Sequence, residues 1–109
     1  MFHGGERMTG MYLENTLLLE QFGETGIFYP MELRYYLLES EITMEEELIR
    51  VKTYGVGIIK ETREECSEAR LVENFSSSLA RTKEVLNLLV RNSVTPISLY
   101  NVLEDIAGL

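Results

Sequence analysis

The sequence predicts an α+β domain: a three-stranded antiparallel meander with a C-terminal helical pair packed on one face. Three observations carry that expectation. Met31 to Ile42 and Leu48 to Lys60 alternate apolar and polar residues with the two-residue period of strands. In the last third the apolar positions recur at helical spacing instead. Within that third, a serine triplet and a Thr95-Pro96 pair supply two separate helix starts.

Residues 1–30 read as an N-terminal lead-in, partly flexible, because Gly4, Gly5 and Gly10 interrupt a stretch without period. Inside it Met11, Leu13, Leu17, Leu18 and Phe22 fit a helix over 11–22 that Gly23 ends. Gly23 to Pro30 is a connector, and residues 31–109 form a single α+β domain. In the first strand, Met31 to Ile42, the alternation shifts phase across Leu37-Leu38. One face carries Leu33, Tyr35 and Leu37 and the other Tyr36, Leu38 and Ile42, so the strand is partly buried on both faces or bulged. Thr43 to Glu47 is a polar loop. It leads to a second strand, Leu48 to Lys60, with Ile49 and Val51 on one side and Tyr54, Val56 and Ile58 on the other. An antiparallel hairpin is the simplest pairing. Thr62 to Glu68 is a second polar connection and Arg70 to Phe75 a third strand.

Ser76, Ser77 and Ser78 then offer N-cap hydroxyls to a helix whose broad apolar face is Leu79, Val85, Leu86, Leu88, Leu89 and Val90. Asn92 and Ser93 end it. Thr95 caps the last helix with Pro96 at its first position, where a missing N–H costs nothing. Ile97, Tyr100, Leu103 and Ile106 follow, and Gly108 closes it.

Composition removes several function classes. The 109 residues hold 18 acids and 10 bases for a net charge of -8, with one Cys, one His and no Trp. No window approaches the ~20 apolar residues of a membrane span, and the N-terminus has no signal-peptide pattern, so a cytoplasmic protein without membrane contact is expected. A lone Cys66 and a lone His3 cannot build a zinc site or a Cys-His or Ser-His nucleophile pair. No metal, cofactor or catalytic residue is therefore expected, and the protein is read as a non-enzyme. Nucleic acid is not expected as a partner. Residues 1–30, 31–66 and 67–109 carry net charges of -3, -4 and -1, so no segment is basic. The last helix has no Lys or Arg, which removes a DNA-reading helix-turn-helix.

Few residues invite a site. Ser76, Ser77, Ser78 and Arg81, with Lys83 nearby, form an anion-binding candidate, since bases in a first helical turn oppose the helix dipole unless an anion is held there. Tyr54-Gly55-Val56-Gly57 looks like a glycine loop, but lies within a β-patterned run, where glycines mark a bulge or close backbone approach. Glu45 to Glu47 reads as a solvated turn, Cys66 as a bystander thiol among acids, and Glu104-Asp105 as a solvated pair or as a cap or partner for a base such as Arg70 or Arg91. Tyr12, Tyr29, Tyr35, Tyr36, Tyr54 and Tyr100 are amphipathic residues suited to core rims and interfaces.

The stretch Leu33-Arg34-Tyr35-Tyr36-Leu37-Leu38-Glu39, then Tyr54-Gly55-Val56-Gly57-Ile58, then Pro96-Ile97-Ser98-Leu99 and Val102-Leu103-Glu104-Asp105, resembles a small uncharacterised family of clostridia and related Firmicutes. The likeness covers about residues 31–109. It implies a bacterial cytoplasmic protein and no catalytic residue, cofactor or substrate. The expected function is a protein-interaction or regulatory domain. It would engage a protein partner through a sheet edge, the tyrosines or a helical face. A homodimer is expected because the second sheet face needs a cover, either the 11–22 segment or another copy. The alternative is a small-ligand or anion-binding module at Ser76 to Arg81.

Overall fold

A computed structural model describes residues 5–22, 28–44, 49–62 and 67–107. Four strands follow one another: β1 (Gly5–Phe22), β2 (Phe28–Met44), β3 (Ile49–Thr62) and β4 (Ser67–Ser76). They form one antiparallel sheet in the order β1-β2-β3-β4. Helix α1 (Leu79–Arg91), a 3-10 turn (Pro96–Ser98) and helix α2 (Leu99–Ala107) complete the chain. The sheet therefore has four strands rather than three.

The added strand is the segment whose spacing suggested a helix over 11–22. β1 pairs with β2 along its whole length, but with one extra residue at Thr9 and another at Glu14. Each bulge flips the side-chain phase. Met11 and Leu13 therefore share a face with Leu38 and Tyr36, whereas Leu17 and Leu19 share the opposite face with Leu33 and Met31. A two-residue period broken by an inserted residue imitates helical spacing, and that is why Met11, Leu13, Leu17 and Leu18 misled the sequence reading. Pairing along β2, which satisfies its backbone N–H and C=O groups, outweighs the local pattern.

The cross-strand register divides the sheet into two faces. Leu33, Tyr35 and Leu37 of β2 and Val56 and Ile58 of β3 point inward and are buried under Val85, Leu86 and Leu89 of α1 and Leu99 and Leu103 of α2. Each such aliphatic side chain contributes ~1.5–3 kcal/mol by leaving water. The phase shift at Leu37-Leu38 is real in its effect: Leu38 is buried too, but on the outer face.

Helix α1 starts where the serines place it. Ser78 Oγ accepts the Arg81 N–H at 3.1 Å, and buried Thr82 donates its hydroxyl to the Ser78 carbonyl at 2.8 Å. At its end the Asn92 N–H and side-chain amide both donate to Leu88 O, and Ser93 takes φ 50°. Ser93 N–H then donates to Val90 O and Val94 N–H to Leu89 O, so the left-handed residue satisfies the last carbonyls and reverses the chain. Thr95 is extended as expected of a cap, but its side chain makes no cap hydrogen bond, and Pro96 opens a 3-10 turn before α2. Gly108 lies outside the described residues.

The long strands outrun the helical layer. The principal extents are 60 × 26 × 20 Å, and the radius of gyration is 16.5 Å, against about 13 Å for a compact domain of this length.

Candidate functional site

The feature that stands out is the outer sheet face. Register places Met8, Met11, Leu13 and Leu18 of β1 there, with Tyr36, Leu38 and Ile42 of β2, Val51 and Ile59 of β3 and Leu71 of β4. Leu18 is 68% exposed and Leu13 53%; Met8, Met11 and Leu71 are also exposed, and Tyr36, Ile42, Val51 and Ile59 are half-buried. Neither helix packs over them, and only the end of β4 crosses this face, at Gly55 beside buried Leu38. The 11–22 segment, one of the two covers expected for this face, lies in the plane of the sheet as β1.

The floor of this surface is built by glycines. A Cβ at Gly55 would lie 2.1 Å from the Val72 carbonyl oxygen, because Glu73, Asn74 and Phe75 of β4 stand opposite this one residue of β3 and swing across it. A Cβ at Gly57 would meet Leu71 Cδ2 at 2.6 Å, so Leu71 lies across the space a side chain would fill, close to Leu38. The glycine pair thus serves strand packing, not a phosphate loop. Asn74, at φ 56°, turns its amide onto the same face, where it pairs with the Thr53 hydroxyl and the Glu6 carboxylate. Beneath that bridge the Ser40 hydroxyl is buried and without a partner.

On β1, β2 and β3 the charged residues of the surface lie toward its ends, while exposed Glu73 of β4 borders its middle beside Gly55. Arg34 pairs with Glu61 and lies 3.3 Å from Glu32. Burial works against its charge, but Glu61, Tyr36 and Glu32 outweigh that and hold its pKa above the usual value. Glu6 occupies the opposite end. Between them, the rows of Tyr36, Leu38 and Ser40 with their register partners on β1 and β3 carry no ionisable side chain apart from the tyrosine.

At the helix start, Ser76 Oγ accepts the Ser78 N–H at 3.0 Å and Ser78 Oγ accepts the Arg81 N–H. Ser77 is exposed, and the Arg81 guanidinium lies 3.9 Å from Glu84. Lys83 reaches across to Glu14 at 3.8 Å, which gives the early helical base a carboxylate partner on the β1 bulge. The four candidate residues are contiguous, but two of the three hydroxyls are engaged by backbone donors.

Glu104 and Asp105 are exposed and form no ion pair among the described residues, with Arg70 and Arg91 exposed elsewhere. Glu45 to Glu47 and Cys66 lie outside the described residues. Of the tyrosines, Tyr35 is in the core, Tyr36 and Tyr54 are half-buried, and Tyr12 and Tyr100 are exposed. Tyr29's side chain is outside those described. Among the described residues no group of three His, Cys, Asp or Glu is placed to hold a metal, and no helix is long and apolar enough to cross a membrane. An open groove of about 580 Å³ lies between the end of α1 and α2, lined by Leu88, Val94, Val102, Asp105 and Ile106.

The sequence reading expected an apolar second sheet face but missed the part that β1 contributes, because it placed Met11 to Phe22 on a helix. The pairs Met11/Leu13 and Leu17/Leu19 were the available signal.

Fold and surface together define a small α+β protein: a four-stranded antiparallel meander with helices on one face and an apolar second face. By sequence the chain belongs to DUF6514, a family of unknown function, which it matches over residues 20–109. No curated protein and no solved structure shows significant similarity to it.

Proposed function

We propose that this protein is a non-enzymatic protein-binding or regulatory module whose docking surface is the outer sheet face. The supporting observation is the contiguous set Met8, Met11, Leu13 and Leu71 around buried Leu38, exposed on a face that neither described helix covers. Scattered exposed apolar residues need no explanation, but a continuous patch on one sheet face does. Its residues alternate with inward or charged ones, for example Val51 outward between Arg50 and Lys52, which is the pattern of a sheet surface meant to be covered. In this reading the protein works in the cytoplasm of a bacterium of the clostridial type. The single Cys and the acid excess fit that setting.

The test is a paired capture from native extract with the wild type and with Leu13→Glu/Leu71→Glu. A protein retained in stoichiometric amount by the first and lost by the second is expected. Capture that the double substitution leaves unchanged would move the function off this face. The anion-binding alternative at Ser76 to Arg81 has weaker support, since the Ser76 and Ser78 hydroxyls already cap backbone N–H groups.

A further inference from the structure

We infer that the occupant of the outer face is a second copy of this chain, packed sheet against sheet about a two-fold axis near Leu38. The inference rests on the docking reading above and names its partner.

Area is the first argument. Four strands at ~4.8 Å spacing make the face ~19 Å wide beside Glu32 to Leu37 and three make it ~14 Å wide beyond, and the eleven residues from Glu32 to Ile42 at ~3.3 Å per step make it ~33 Å long, or on the order of 550 Å² in projection. Two such faces bury on the order of 1,100 Å², just above the ~1,000 Å² that a specific interface needs. A single helix, ~10–12 Å across with its side chains, would leave about half of it wet. A twisted sheet of the same width covers it, and two faces with the same hand of twist stack in the aligned manner of a β-sandwich. A second copy supplies such a sheet without any further fitting.

Charge is the second argument. The chain carries -8, so two copies meet more favourably where acids are few. The β1 and β3 partners of Tyr36, Leu38 and Ser40 carry none, Glu6 at one end is tied to Asn74, and Glu32 and Glu61 at the other flank Arg34, which leaves exposed Glu73 of β4, beside Gly55, as the carboxylate bordering the centre among the described residues. Edge-to-edge pairing is the other route to a dimer, and β1 is built against it. Bulges at Thr9 and Glu14 break its ladder, and Asn15 Oδ1 takes the Thr16 N–H at 2.8 Å.

The experiment is light scattering on the full chain over a range of concentrations. The wild type is expected at twice the 12.5 kDa chain mass, with Leu13→Glu/Leu71→Glu weakening association at least ~100-fold, because two carboxylates would be buried without partners. Met8→Lys/Leu13→Lys repeats the test from β1 alone, and Ile97→Glu, on a 75% exposed helix-side residue, is expected to leave the dimer intact. Circular dichroism confirms that each variant is folded. A spin label at Met11→Cys in a Cys66→Ser background should show intermolecular dipolar coupling that a label at Ile97→Cys lacks. A wild type that is monomeric at every concentration overturns the inference. So does a dimer that survives both outer-face variants. The docking reading fails separately, only if those variants also leave partner capture unchanged.

Discussion

The Tyr35 hydroxyl donates to the Val94 carbonyl at 2.8 Å, joining two residues 59 positions apart inside the core. Tyr35 is fully buried in the middle of β2, and Val94 follows the left-handed Ser93 that ends α1. The bond ties the helix reversal to the sheet. Tyr35→Phe keeps the ring but leaves a buried carbonyl without its donor, so a loss of ~1–3 kcal/mol is expected. Urea unfolding at neutral pH measures it, and a change below a few tenths of a kcal/mol would mean that water replaces the bond.

The same residue gives the fold a pH limit. Burial pushes the Tyr35 hydroxyl up to about 12, from about 10 in the unfolded chain. Between those values the folded state keeps a proton that the unfolded state has lost, so stability falls as pH rises. The contribution is whole below about pH 10 and lost as pH climbs through 12. Wild type and Tyr35→Phe should therefore converge in stability across that window; parallel curves would place the titration elsewhere.

The two glycines of β3 should differ in their tolerance of alanine. At Gly55 a methyl meets the Val72 carbonyl and the Glu73 Cα at 2.9 Å, both backbone, so the β4 crossing must shift. At Gly57 the obstacle is the end of the exposed Leu71 side chain, which can rotate away. Gly55→Ala is expected to cost at least ~2 kcal/mol and Gly57→Ala ~1 kcal/mol or less. Thermal melts of both variants rank them, and equal costs would contradict the close approach at Gly55.

Capping at α1 predicts a third stability effect. Ser78→Ala removes the acceptor for the Arg81 N–H and should cost ~1 kcal/mol, whereas Ser77→Ala, on an exposed residue with no described side-chain bond, should be neutral. If added phosphate raises the wild-type melting temperature but not that of Arg81→Ala, the anion reading of this helix start gains the ligand it lacks.

Much of the fold was legible locally. The β2-β3 hairpin, the Ser78 start of α1 and its end at Asn92 all follow from short-range chemistry: alternation, a capping hydroxyl, an amide that closes the last turn. The phase shift at Leu37-Leu38 signalled two apolar faces. The helix expected over 11–22 failed because bulges at Thr9 and Glu14 are properties of a pairing, and no window of β1 contains its partner. Of the candidate sites, the serines proved to be neighbours in space as in sequence. The outer face was signalled by the phase shift at Leu37-Leu38, but the share that β1 adds to it was not visible until β1 had a register.

The chain alone was enough to set the class of fold and the C-terminal helices. These depend on composition and on contacts within a few residues. Long-range pairing decided the rest: that the N-terminal segment is a strand, that Val72 crosses Gly55, that Tyr35 meets Val94, and that an apolar face is left open. Each joins residues far apart in the chain, so each exists only once the sheet has closed its register and the helices have chosen a side.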